Sequence, residues 1–173
     1  KTPFTAINLI MPFLMILGTV GFMFGTGGSA LIAKTLGEGD KQKANKLFSM
    51  LVYLTLVVSA VVGAAGFFAL RPVASLLGAE GEMLENCVSY GSILMFAMPA
   101  FMLQYEFQSF FALAEKPSLG LWVTIAAGVT NMGLDALFVH PDLLDLGLEG
   151  AAAATALSAA MGGFIPLLYF SFK

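Results

Sequence analysis

Charged residues are scarce in this sequence, and their scarcity excludes most soluble folds. Only 11% of the residues are charged and 58% are hydrophobic, whereas a soluble domain carries about 25% charged residues. The single cysteine, Cys87, excludes an internal disulfide framework and is expected to be an apolar packing residue. The sequence also lacks metal-ligand spacing, a phosphate-binding glycine loop and a catalytic-triad signature, so we expect that the protein is not an enzyme.

Long uncharged runs take the place of charge and predict membrane-spanning helices. A helix needs about 20 apolar residues to cross a bilayer. The uncharged run 88–105 reaches that length only if Glu106 also lies inside the helix. The uncharged runs are residues 4–33, 47–70, 88–105, 118–134 and 150–172. We therefore predict an all-α, polytopic membrane bundle of five transmembrane helices in one segment, residues 1–173. The predicted helices are about 5–35, 44–70, 84–114, 118–139 and 147–172.

The basic residues lie in alternating links between the predicted helices, which predicts an orientation. The first link, residues 36–46, carries three lysines, the third link carries Lys116, and the chain ends at Lys173. Only Lys1 and Arg71 lie on the opposite side. Because cytoplasmic loops carry an excess of lysine and arginine, we expect the first and third links in the cytoplasm. The N-terminus of this segment would then be outside and its C-terminus inside. Lysines sorted in this way also disfavour a soluble protein with a large apolar core.

Two acidic residues, Asp135 and Glu106, fall inside the predicted spans. A charge at the bilayer centre costs at least about 2.5–3.5 kcal/mol, so such side chains face the bundle interior or a wet cavity. Asn131 lies four residues before Asp135 on one helix face, where its amide can hydrogen-bond the acid. Thr155, near the start of the next helix, falls at a similar depth.

The three oxygen-bearing side chains predict a site that handles a proton or a cation. Burial disfavours the charged form of a carboxyl group, so Asp135 could exchange a proton for a cation. The oxygens of Asp135, Asn131 and Thr155 would suit Na⁺ and no other metal is expected. The alternatives are a polar cap at a helix end, or a helix-packing hydrogen bond worth about 0.6 kcal/mol.

A second polar group surrounds Glu106. Gln104 and Gln108 lie one turn apart, and Glu106 projects from another side of the same helix. We expect these three side chains to line a lower passage through the bundle, with a packing contact of Glu106 as the alternative.

Glycines and prolines predict how the helices approach and bend. Gly21-x-x-x-Gly25 permits close contact with another helix. Pro12, Pro99 and Pro166 lie inside predicted helices, where each removes a backbone hydrogen bond and favours a kink. Such a kink is either a hinge or a fixed bend.

Several segments resemble, in the same order, those of the multidrug and toxic compound extrusion (MATE) transporters. GTGGSALIAKTLGEGDKQKAN, residues 25–45, resembles the end of their second helix and the loop that follows. FQSFFALAEKPSLGL, residues 107–121, resembles the end of their fourth helix and the next loop. NMGLDALF, residues 131–138, with GLEGAAAATALS, residues 147–158, resembles their fifth and sixth helices.

The resemblance implies a twelve-helix transporter with two six-helix lobes, of which this chain forms helices two to six. The sequence shows no signal peptide. The absence of an initiator methionine at Lys1 agrees with a fragment. The family exports cationic, lipophilic drugs in exchange for H⁺ or Na⁺. Asn131, Asp135 and Thr155 match the fifth- and sixth-helix members of the network that takes the coupling ion in many relatives.

Two family features have no counterpart here. The first-helix acid of that network belongs to a helix outside this chain. The family often carries an arginine in the segment that matches FQSFFALAEKP, whereas residues 110–114 are apolar here. The implied partners are cationic drug-like solutes, the lipid of the cell membrane and the remaining helices of the transporter, with no nucleic acid. No cofactor is expected apart from the coupling ion, H⁺ or Na⁺.

The sequence leaves three alternatives to a drug transporter open. The first is a related flippase for lipid-linked oligosaccharides or polysaccharides. An intramembrane protease would need two apposed acids, and Asp135 and Glu106 are expected at different depths. The third is a membrane scaffold that transports nothing and uses its polar cluster for packing.

Overall fold

The computed structural model describes residues 2–172, and these residues form helices without any strand. Four of the helices are long and apolar enough to cross a membrane. The all-α bundle predicted from the sequence is therefore confirmed. The helices are α1 (Thr2–Gly37), α2 (Lys41–Leu76), α3 (Gly81–Phe96), α4 (Met98–Leu113), α5 (Pro117–Val139) and α6 (Gly147–Ser171).

The predicted helix 84–114 is corrected, because it consists of two helices, α3 and α4, that meet at Ala97 with a bend of 56°. Pro99 is the second residue of α4; it has no N–H to donate and its ring clashes with the preceding turn, so one straight helix is disfavoured. Together α3 and α4 form a fifth, broken span if they cross as one. By contrast, α1 and α6 continue through Pro12 and Pro166.

Helix α4 occupies the middle of the bundle and packs against α1, α2, α5 and α6. Gly21 and Gly25 of α1 allow the closest approach to it. A Cβ atom at Gly21 would lie 2.5 Å from the Cα of Met102, and one at Gly25 would lie 2.9 Å from the Cα of Glu106. The close contact predicted from Gly21-x-x-x-Gly25 is therefore confirmed, and α4 is the helix that it serves.

An aromatic cluster fills the bundle near the lysine-rich links. The rings of Phe107 and Phe170 stack with 5.7 Å between centroids and 10° between planes, and Phe48 lies 5.0 Å from Phe110. This cluster joins the start of α2 to the ends of α4 and α6. The first and third links therefore lie at the same end of the bundle, as the alternation of links predicts.

The opposite end of the bundle carries most of the acidic residues and two contacts between helices. Arg71 forms an exposed ion pair with Glu85 at 2.7 Å, and the Ser89 hydroxyl donates a hydrogen bond to Glu149 at 2.8 Å. The charges are thus sorted by end, as predicted. Lys1 and Lys173, which also entered that prediction, lie outside the described residues.

Candidate functional site

Asn131 of α5 and Thr155 of α6 meet where these two helices pack together. The Nδ2 of Asn131 donates to the Oγ1 of Thr155 over 3.4 Å. Thr155 itself donates to the carbonyl of Ala151, one turn earlier, at 2.9 Å, which leaves its lone pairs free to accept. The spatial pairing of α5 and α6 expected from their short link is therefore found at these two residues.

Asp135 lies beside this pair, but the predicted hydrogen bond from Asn131 to Asp135 is not formed. The Asn131 amide is directed across the helix interface to Thr155 instead. The Oδ1 of Asp135 is buried without a hydrogen-bond partner among residues 2–172. A buried polar atom left unpaired costs about 1–3 kcal/mol. A proton or a cation bound at this oxygen would remove that cost.

Tyr90 of α3 completes the cluster, and the sequence did not point to it. Its side chain is 3% exposed, its hydroxyl interacts with the Thr155 side chain, and it lies within electrostatic range of Asp135. The contact depends on the packing of α3 against α6. Nothing in the uncharged run 88–105 marks this tyrosine, because its partner is 65 residues away, from 90 to 155.

Thr155 also lines a cavity of about 120 Å³ between α1, α3, α4 and α6. Methionine and aromatic side chains dominate its wall. Methionine adapts to ligands of different shape, and aromatic faces attract cations. The remaining wall residues are Met11, Leu14, Met15, Gly18, Leu94, Met98, Phe101 and Tyr105.

Gln104, Gln108 and Glu106 do not share one passage in this structure. Gln104 and Gln108 line a cavity of about 10 Å³, and the Cδ of Gln104 would lie 2.7 Å from a Cβ atom at Gly162 of α6. That volume is at the lower limit for a single water molecule, about 10–15 Å³. Glu106 is fully buried on another side of α4.

Comparison with known proteins places the chain in a family. The family model described as MatE matches residues 1–137, which is most of the chain. The chain belongs to the MatE family. The resemblance seen in its segments is thereby confirmed, and with it a multi-pass membrane protein.

Individual relatives agree with this assignment. The MatE chain is 30% identical over 166 residues to the multidrug export protein MepA of Staphylococcus saprophyticus, which covers 96% of this chain and 36% of MepA. A crystal structure of "MATE in the bent conformation" has a TM-score of 0.91 at 21% identity, over 98% of this chain and 37% of that chain. An inward-facing multidrug resistance MATE family transporter has a TM-score of 0.90 at 21% identity, over 97% and 38%. The chain thus spans little more than a third of the length of these relatives.

Proposed function

We propose that the full-length protein is a secondary transporter that exports cationic, lipophilic drugs in exchange for H⁺ or Na⁺. This chain would supply helices two to six of its N-terminal lobe. The observation that carries the proposal is that Thr155 takes part in two sites at once. It belongs to the polar cluster with Asn131 and Asp135, and it lines the methionine-rich cavity. An ion at Asp135 and a drug in the cavity would therefore affect each other through one side chain.

The proposed coupling is a competition for negative charge. With a proton or Na⁺ bound, Asp135 is neutralised and does not attract a cationic solute. After the ion leaves, the carboxylate attracts a drug cation to the adjoining cavity. Two ligands that oppose each other at one site each lower the affinity for the other by the same factor. In this scheme the Asn131 and Thr155 oxygens help to hold the ion, and the aromatic and methionine side chains hold the drug.

The proposed orientation in the cell membrane follows from the sorted charges. The end that carries Lys41, Lys43, Lys46 and Lys116 would face the cytoplasm. Asp135 lies towards the opposite end of α5, so the coupling site would open to the outside. Protons or Na⁺ entering from the outside would thus reach it directly.

Transport by the full-length protein in lipid vesicles tests this function. We expect a fluorescent cationic dye to move against its gradient when a pH gradient or a Na⁺ gradient is imposed, and to stop when that gradient is collapsed with an ionophore. Separate pH and Na⁺ arms identify the ion. Gradient-independent movement of a lipid-linked oligosaccharide, without dye transport, would favour the flippase, and movement of neither would favour the scaffold.

Tyr90→Phe is expected to reduce the initial rate of dye transport about fivefold, the equivalent of one lost hydrogen bond of about 1 kcal/mol. Phenylalanine keeps the shape of the buried ring and removes only the hydroxyl that interacts with Thr155. The rate should be measured at equal amounts of folded protein in vesicles.

Tyr53→Phe is the matched control, because Tyr53 of α2 is 70% exposed on the outer surface of the bundle. It should leave the transport rate unchanged. Equal rates for Tyr90→Phe and the wild type would remove Tyr90 from the proposed mechanism.

A further inference from the structure

A second buried acid, Glu106, lies in a contact zone between α1, α2 and α4 that we call the α4 seam (Gly25, Thr55 and Glu106). The Glu106 side chain is 0% exposed, and neither carboxyl oxygen has a hydrogen-bond partner among residues 2–172. The hydroxyl of Thr55, on α2, is adjacent to this carboxyl. Thr55 is also 0% exposed, and its Oγ1 has no hydrogen-bond partner in the described part of the chain. An acid and a hydroxyl that could form a hydrogen bond with each other are thus buried side by side.

The α4 seam is separate from the cluster around Asp135. Gln104, two residues before Glu106, packs against Gly162 of α6, whereas Glu106 lies against Gly25 of α1. Residues two apart on a helix point to nearly opposite sides, since each residue turns the helix by about 100°. Glu106 therefore faces away from the side of α4 on which α6 and the Asp135 cluster lie. The burial of Glu106 is not a consequence of the Asp135 cluster.

No basic side chain pairs with Glu106 among residues 2–172. Residues 4–33 of α1 and 47–70 of α2 contain no charged residue, and Glu106 is the only one in α4. The tyrosines of α2 and α4, Tyr53 and Tyr105, are 70% and 36% exposed.

The helices on the other side of α4 do not supply a cation either. The charged residue of α5 is Asp135, beside Asn131 and Thr155, and that of α6 is Glu149, bonded to Ser89. Both are acids. A carboxylate at Glu106 would thus be buried without a partner, which costs several kcal/mol.

The close packing of the seam leaves a proton as the cation that fits. A Cβ atom at Gly25 would already lie 2.9 Å from the Cα of Glu106, so the backbones are in contact there. We propose that Glu106 is a second proton-binding site of this chain, which stays protonated while α1, α2 and α4 are packed together and donates its O–H to the Thr55 hydroxyl. If the seam opens during transport, water would reach the carboxyl and the proton would leave. That last step rests on the proposed function; the proton site itself does not.

Infrared spectroscopy of the full-length protein in lipid vesicles at neutral pH tests the proposal. We expect the carbonyl band of a protonated carboxylic acid in the wild type, and its loss in Glu106→Gln, which keeps the shape and removes the acid. Glu115→Gln is the matched control, because Glu115 is exposed just after α4, and it should retain the band. Identical carboxylic-acid bands in the wild type and Glu106→Gln would overturn the proposal.

Two further variants keep the test decisive. Thr55→Val removes the hydroxyl at nearly constant volume and should shift the Glu106 band by removing its hydrogen bond; this variant also serves if Glu106→Gln does not fold. An unshifted band contradicts the proposal. Asp135→Asn should keep the band while losing transport. A wild type that shows the Glu106 band but no dye transport would refute the proposed function and leave the proton site intact.

Discussion

Asp135→Asn is expected to reduce ion-driven export of a cationic dye by roughly tenfold or more, a loss typical of removing the coupling between two ligands. Asparagine matches the aspartate in size and can form hydrogen bonds. It cannot take up and release a proton, and it lacks the negative charge that attracts Na⁺ or a drug cation. The coupling ion would bind to the Oδ1 of Asp135, which has no hydrogen-bond partner among residues 2–172. Initial rates in vesicles, with the gradient imposed and then collapsed, measure the effect.

Asp142→Asn is the control for this variant, because it makes the same substitution in the loop between α5 and α6. The Asp142 side chain is 91% exposed, so its charge is solvated by water and we expect it to take no part in coupling. Export by this variant should match the wild type. If Asp135→Asn transports dye with an undiminished response to the gradient, Asp135 is not the coupling acid.

Gly21→Leu is expected to destabilise the fold by about 3 kcal/mol or more, at the upper end of what overpacking costs. Even the first side-chain atom at this position would lie 2.5 Å from the Cα and 2.6 Å from the carbonyl oxygen of Met102. These are backbone atoms of α4 and cannot rotate away, so α1 and α4 would have to separate. The apparent unfolding temperature of the full-length protein in detergent, and its monodisperse yield, should both fall.

Gly27→Leu provides the comparison on the same helix. Among residues 2–172, no side chain and no other helix comes within 4 Å of a Cβ atom at Gly27, so the leucine would project from the surface of α1. Its effect should stay within about 0.5 kcal/mol, as for surface substitutions in general. Equal losses for the two variants would mean that the approach of α1 to α4 does not limit stability.

The helices were predictable from the sequence to the extent that their signals are local. The starts of α5 and α6 were expected at residues 118 and 147 and are found at Pro117 and Gly147, next to links rich in proline, glycine and acids. The break at Ala97 was not predicted as a division into two helices. Proline is compatible with a kinked helix or with two helices, and packing decides between them: α1 and α6 continue through their prolines.

The candidate site was partly predictable for the same reason. Asn131 and Thr155 lie on consecutive helices joined by a short link, so their proximity follows from the order of the helices along the chain. The direction of the Asn131 amide did not follow, because it depends on which acceptor across the interface is free. Tyr90 belongs to a distant part of the chain, and only the packing of α3 on α6 brings it to Thr155.

The sequence by itself determined that this chain is a bundle of membrane helices with two acids in its oily part and lysines at one end. Apolar length and loop charge suffice for that, because a helix satisfies its backbone hydrogen bonds within its own segment. Only the tertiary structure decided that the Oδ1 of Asp135 is left unpaired near Thr155, which lines a cavity, whereas Glu106 is fully buried in the α4 seam. The neighbours of each acid come from helices far away in the sequence, and the side of α4 that each helix covers is set by the fit of side chains and glycines between them.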